Sequence, residues 1–166
     1  MSKSSRVTFR DRPVEQVTSA SGAMAAHSET LTVDTESRFE LADITDRLVE
    51  VLSRAGIREG IVNLFSLHTT CSVFINESQV ALQTDIKRFL ETIVDRDADW
   101  LHNDPQHSDC DRLNADAHLR ALFLGPALTL QVSGGEVVLG QWQRVLVAEL
   151  DGPRARSIRV MVLGLK

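Results

Sequence analysis

From Ala127 to the C-terminus the chain is a series of β-forming runs separated by tight-turn signals. "ALTLQV" and "EVVLG" flank Ser133-Gly134-Gly135, which reads as a hairpin turn. "WQRVLVAEL" and "RSIRVMVLGL" flank a second turn signal, Asp151-Gly152-Pro153. Such connections join antiparallel neighbours, because parallel strands need a long crossover. Read as a strand, the "GQWQRVLVAEL" run puts Gln141, Gln143, Val145, Val147 and Glu149 on one face and Trp142, Leu146 and Leu150 on the other. Both faces are apolar in the middle, so this strand is expected to be covered on both sides.

The N-terminal half alternates between periods. "ETLTVDT" has strand periodicity. "DITDRLVEVLSRAG" places Ile44, Leu48, Val51 and Leu52 at helical spacing, with Asp43 as candidate N-cap and Gly56 as stop. "GIVNLFSLH" and "TTCSVFIN" read as two more strands. "SQVALQTDIKRFLETIV" reads as an amphipathic helix whose buried face is Val80, Leu82, Ile86, Phe89, Leu90 and Ile93. A long acidic loop, "DRDADWLHNDPQHSDCDRLNADAH", leads into a short helix, "ADAHLRALFLG". Residues 1–28 read as a loosely ordered extension in which "VTFRD" adds an edge strand. Residues 29–166 read as one α+β domain, a largely antiparallel sheet with helices packed on it.

The length of 166 residues suits one domain with a core that needs no covalent staple. The formal net charge is −5 and there is no Lys/Arg run, so no nucleic-acid partner is expected. No apolar run is long enough to cross a bilayer, and the N-terminus lacks a signal-peptide core, so no membrane is expected. The two cysteines, Cys71 and Cys110, form no zinc-finger spacing, and a reducing cytoplasm is the expected location.

The candidate chemistry begins in "LHTTCSVFINE". In an extended strand His68, Thr70, Ser72 and Asn76 share one face, while Thr69, Cys71, Val73 and Ile75 share the other. Cys71 then reads as a small core residue and the polar face as available for a site. Of the five histidines, His27 lies in the extension, His102 and His107 in the acidic loop, and His118 on the short helix. Ligands from a strand, a loop and a helix can together hold a divalent metal and leave a position for water or substrate. For each histidine taken alone, the alternative is a buried, hydrogen-bonded core residue. No HExxH or HxH spacing is present, and neither is a phosphate loop or a GxSxG elbow. Gln143 and Glu149 on a covered face need partners; they either line a site or join a structural network. Arg120, Arg144, Arg154, Arg156 and Arg159 are candidate anion contacts or solvated charge.

"HTTCSVFINE", "LHND…NADAHLRALFLGP", "LTLQVSGGEVVLGQWQRVLVAELDGPR" and the closing "RVMVLG" together resemble the YjbQ family. Its members are small proteins of long-uncertain function, some labelled secondary thiamine-phosphate synthases. The resemblance runs from Glu29 to the C-terminus. It implies a YjbQ-like α+β sandwich, a homotrimer, and a histidine cluster near the subunit boundary often considered a metal site. Carried over by motif, the metal positions are His68, His102 and His118, with zinc or magnesium as the implied ion. Glu77, Gln143 and Glu149 match further family positions and join His68 and His118 as implied catalytic residues; Asn76 matches beside Glu77. The family's G-T-W-Q block reads Gly140-Gln141-Trp142-Gln143 here, and the long loop makes His107 the alternative to His102. The implied ligand is a small molecule carrying phosphate. The implied reaction joins a pyrimidine pyrophosphate to a thiazole phosphate. Metal-dependent hydrolysis, with Glu77 or Glu149 as base, and a non-catalytic binding trimer are the alternatives.

Overall fold

Side-chain alternation at period two sets the strands, and glycine-bearing turns decide how they connect. The computed structural model describes residues 19–166. Its strands are β1 (Met24–Asp34), β2 (Glu40–Asp43), β3 (Glu59–Ser66), β4 (Cys71–Asn76), β5 (Ala127–Ser133), β6 (Glu136–Val137), β7 (Arg144–Glu149) and β8 (Ala155–Leu165). The helices are α1 (Thr45–Ala55), α2 (Val80–Ile93) and α3 (Ala115–Leu124), with one 3-10 turn at Leu101–Asn103. Five strands join in the order β1-β8-β3-β5-β6, and three in the order β2-β7-β4. All pairings are antiparallel, but only the Ser133-Gly134-Gly135 signal closes a hairpin between neighbours. Strands β7 and β8, expected to be neighbours across Asp151-Gly152-Pro153, lie in different sheets, and that turn carries the chain from one sheet to the other.

Gly134 and Gly135 both take positive φ, 64° and 84°, and Ser133 pairs directly with Glu136. A two-residue hairpin turn of this hand fits the twist of its strands, and residues without a Cβ adopt it at little cost. The N-cap of α1 is Ile44, one residue after the expected Asp43, but Asp43 still accepts hydrogen bonds from the backbone N–H and the hydroxyl of Thr45, at 2.9 and 2.7 Å. It thereby covers an N–H that the helix leaves unpaired. Gly56, at φ 61°, ends the helix and gives its N–H to the Leu52 carbonyl.

The main core lies between the inner face of the five-stranded sheet, α1 and one face of the three-stranded sheet. Val62, Leu64, Val160 and Val162 meet Leu48 and Val51 of α1 and Val73, Val145 and Val147 of the smaller sheet. A second cluster, Leu41, Ala117, Ala121, Ala148 and Leu150, covers the other face of the smaller sheet. Strand β7 is therefore buried on both faces, as its sequence indicated.

Three expectations need correction. Residues 24–28, assigned to the extension, form the first half of β1 and pair with β8 from Leu165 to Met161. Their small side chains carry little periodic signal, and the long partner strand supplies the backbone bonds. The "VTFRD" strand lies outside the described residues. On α2 only Leu90 is buried; Val80 is 81% exposed and Phe89 54%. The helix is amphipathic, but its apolar stripe is broader than the surface this chain offers it. Ile61, Phe65, Met161 and Leu163 likewise leave apolar groups on the outer face of the large sheet. Finally, β4 begins at Cys71, so the expected alternation does not reach His68. Cys71 and Val73 do enter the core. Ser72 is fully buried under α3, where its hydroxyl bonds the Ala121 carbonyl at 3.2 Å, so that face is closed.

The two sheets are joined by a buried ion pair. Glu149, at the end of β7, takes both Nε (2.5 Å) and Nη2 of Arg156 on β8. It also accepts from the Thr35 hydroxyl at 3.2 Å and the Asp151 N–H at 2.7 Å. Replacing Glu149 with Ala strands the guanidinium and is expected to destabilise the fold by about 3–5 kcal/mol. Replacing Glu149 and Arg156 together with Met is expected to cost clearly less. Urea unfolding of both variants checks the order.

Candidate functional site

The segment between β3 and β4 is shaped by β7 and β8. Arg156 Nη2 donates to the Thr70 carbonyl at 3.2 Å and to its hydroxyl at 3.0 Å. The Leu67 N–H reaches the Ser157 carbonyl at 3.0 Å, and the Leu150 N–H reaches the Thr70 carbonyl at 3.2 Å. His68 is held in this turn, where its Nε2 accepts the Ser157 N–H at 2.8 Å. A backbone N–H can only donate. Nε2 therefore carries the lone pair, and in the neutral ring the proton sits on Nδ1. His68 is thus a hydrogen-bond donor through Nδ1.

His118 lies on α3, and its ring meets that of His102 edge-on, with centroids 5.0 Å apart. The tautomer of His102 follows from a chain of bonds. Asp151 is fully buried and accepts from Asn114 Nδ2 at 2.9 Å. This orients the amide so that Asn114 Oδ1 points to His102 Nε2, 3.2 Å away. Nε2 of His102 must then be the donor. The Cys110 thiol also reaches Asn114 Oδ1, at 3.4 Å. His107 turns away to Asp104, at 2.8 Å, and is exposed.

His68 and His118 line one cavity of about 550 Å3, with Phe65, Leu67, Leu122 and Pro126 as apolar wall. That volume suits a small molecule. A smaller cavity of about 270 Å3 shares His118 and adds Trp100, Leu101 and His102. Both rings of the larger cavity are held below the ordinary imidazole pKa. For His68 the main cause is burial, helped by Arg156 and Arg154 and opposed by Glu149. For His118 it is burial and then His102, opposed by Asp151 and Asp116. Burial also pushes the Cys71 thiol up, away from the reactive thiolate.

The other expected site residues lie elsewhere. Glu149 is sealed in its ion pair. Gln143 precedes β7, is exposed, and accepts the Gly140 N–H through Oε1 at 2.7 Å. Asn76 and Glu77 are exposed at the end of β4, where the Asn76 amide oxygen accepts the Glu77 N–H. Among the described residues no group of three or more His, Cys, Asp or Glu is placed to hold a metal ion. The Nε2 lone pair of His68 is already used by Ser157. The single chain therefore does not fit the three-histidine centre implied by the resemblance. Arg154 was among the expected anion contacts; Asn114, Asp151 and Arg112, which also organise the region, escaped sequence reading as site residues. Their only signal was their place inside the blocks that flank the histidines.

Fold and cavity define a small α+β domain with a two-histidine apolar hollow. Residues 29–165 match the family described as UPF0047 protein YjbQ-like, and the chain belongs to that family. A UPF0047 protein of Methanothermobacter thermautotrophicus is 45% identical over 141 residues, 85% of this chain and 94% of that protein. The UPF0047 protein YugU of Bacillus subtilis is 30% identical over 136 residues, 82% of this chain and 98% of that one. The crystal structure of a YbjQ-like protein of unknown function from Sulfolobus solfataricus P2 superposes with a TM-score of 0.80 at 36% identity, over 86% of this chain and 99% of that one.

His68 and His118 bind protons less readily in the folded than in the unfolded state. Their contribution to stability is complete above the unfolded imidazole pKa of about 6.5 and is lost as pH falls through the lowered folded values. Imidazole NMR titrations are expected to place both midpoints below about 6.5. Thermal stability is expected to decline over the same acidic window, and less steeply in His118→Gln.

Proposed function

We propose that the chain is a small enzyme using histidine acid–base chemistry in the 550 Å3 cavity. One observation carries the reading: the Ser157 N–H fixes His68 as an Nδ1–H donor, on a cavity it shares with His118. The lowered pKa of His118 keeps that ring neutral at pH 7 and able to accept a proton. A donor and an acceptor on one apolar wall suit transfer chemistry on a small ring-bearing substrate.

The reaction proposed is the one the family resemblance implies. A thiazole nitrogen uses its lone pair to form a new C–N bond to the pyrimidine's methylene carbon while that carbon's C–O bond to pyrophosphate breaks. The thiazole loses no proton, so His118 acts on an N–H of the pyrimidine, taking its proton as the C–O bond breaks and returning it to the product. Pyrophosphate leaves with the bonding electrons, and a donor such as His68 stabilises the charge it gains. The aromatic bodies of both substrates suit the apolar wall. No step is assigned to a metal.

The assembly proposed is a homotrimer. Ile61, Met161 and Leu163 on the outer sheet and Phe123 on α3 are exposed outside the cavity, and apolar groups gathered in this way mark association surfaces. Both cysteines are free, which suits a reducing compartment, and the cytoplasm is the proposed location. No described helix is long and apolar enough to cross a membrane.

His118→Gln is expected to lower turnover by about 10²–10⁴-fold while leaving the circular dichroism melt at pH 7.5 near wild type. Complementation of a thiamine auxotroph supplies the cellular readout. Equal rescue by wild type and His118→Gln rejects the synthase reading, and binding without turnover identifies a ligand-binding protein instead. Sedimentation equilibrium is expected to give three times the 18.4 kDa chain mass.

A further inference from the structure

Five arginines and three buried carboxylates interlock beside the histidines. Asp151 meets Arg112 Nε at 2.7 Å, Arg38 Nη1 at 3.1 Å and Arg154 Nη2 at 3.3 Å. Asp116 is shared by Arg120 at 2.8 Å and Arg38 at 3.3 Å. Glu149 is taken by Arg156. Five cations on three anions leave an excess of two positive charges in this network. The whole chain carries −5, so the excess runs against its overall sign.

Arg120 and Arg156 are sealed inside. The excess therefore reaches solvent through Arg38, Arg112 and Arg154, whose side chains are 30%, 50% and 33% exposed. A fully buried carboxylate fixes all three, so they do not float like ordinary surface arginines. Arg112 is gripped twice, since its Nη2 also donates to the Asp151 carbonyl at 3.0 Å. Held guanidinium groups with more charge than their partners can neutralise match the forked geometry of phosphate oxygens.

The cluster is also tied to the cavity at two points. Asn114, which donates to Asp151, lies one helical turn before His118. Arg154 lies three residues before Ser157, which holds His68. The field of Arg154 also reaches His68.

We infer that Arg112 and Arg154, fixed by Asp151, form a phosphate-binding rim on the two-histidine cavity, taking the phosphoryl group of a substrate whose apolar body lies against Phe65, Leu67 and Leu122. This supplies the phosphate contact that no loop motif provides. It deepens the acid–base reading above and rests on it for the use of the cavity.

Titration calorimetry with inorganic phosphate and with phenyl phosphate tests the rim. Wild type is expected to bind one equivalent of each competitively, with phenyl phosphate at least about tenfold tighter because the cavity adds apolar burial. Arg112→Gln and Arg154→Gln are each expected to weaken both probes by about tenfold or more, the loss of one charge-assisted contact. Melting curves check that the variants fold, and Arg112→Lys, which keeps the charge but not the fork, is expected to fall between. Phosphate affinity unchanged in both glutamine variants, or no binding by wild type at millimolar phosphate, overturns the rim. Preference for phenyl phosphate lost in Leu122→Ser supports one joint site; binding of both probes without competition overturns it. His118→Gln separates the two proposals. It is expected to bind phosphate within about threefold of wild type while losing turnover. Full turnover in that variant refutes the acid–base reading and leaves the phosphate result standing.

Discussion

The Glu149–Arg156 pair is the contact on which the rest of the structure depends. It joins the end of β7 in the small sheet to the start of β8 in the large one, where both side chains are buried. An unpaired charge there would be costly, so both side chains are held to one geometry. The remaining donor capacity of Arg156 goes to Thr70, which sets the turn before β4. His68 sits in that turn. A structural ion pair and a candidate active residue are thus connected through three residues, and moving the pair would move the imidazole.

A second polar chain starts at Asp151 and reaches the other histidines through Asn114. It acts by exclusion. A buried carboxylate only accepts, so Asn114 must turn its amide nitrogen toward it, and His102 must then present an N–H to the amide oxygen. The rings that looked equivalent in the sequence are therefore distinct. His68 carries its proton on Nδ1, and His102 on Nε2. This tautomer pattern, together with the occupied lone pair of His68, is why the three imidazoles do not amount to a three-ligand centre within this chain. The arginines around Asp151 give the same region a positive face in an acidic protein.

The large elements were legible because their signals are local. Leu48, Val51 and Leu52 mark the buried face of α1 in any context. Gly134-Gly135 prescribes a turn that few other residues adopt, and the apolar middle of 145–148 announced a strand buried on both sides. The α2 face misled for a physical reason. Val80, Phe89 and Ile93 report that the helix is amphipathic but not what covers it. The site was partly legible. His68, His102 and His118 stood out as residue types, and the structure brings His118 beside each of the others. Glu149 drew notice as a buried acid, yet its partner, Arg156, could not be chosen from among several arginines.

The sequence by itself determined most of the strands and the three helices, the β5–β6 hairpin and the core faces of α1 and β7, because these follow from periodicity and backbone preference within a few positions; the short β2 (Glu40–Asp43) gave no such signal. Only the tertiary structure decided which charges meet, which nitrogen of each ring holds the proton, and where alternation stops short of His68. Those features arise between residues far apart in the chain, 89 positions from His68 to Ser157 and 101 from Asp43 to Arg144. A hydrogen bond or ion pair at such separation depends on ångström-scale placement that local preference does not encode.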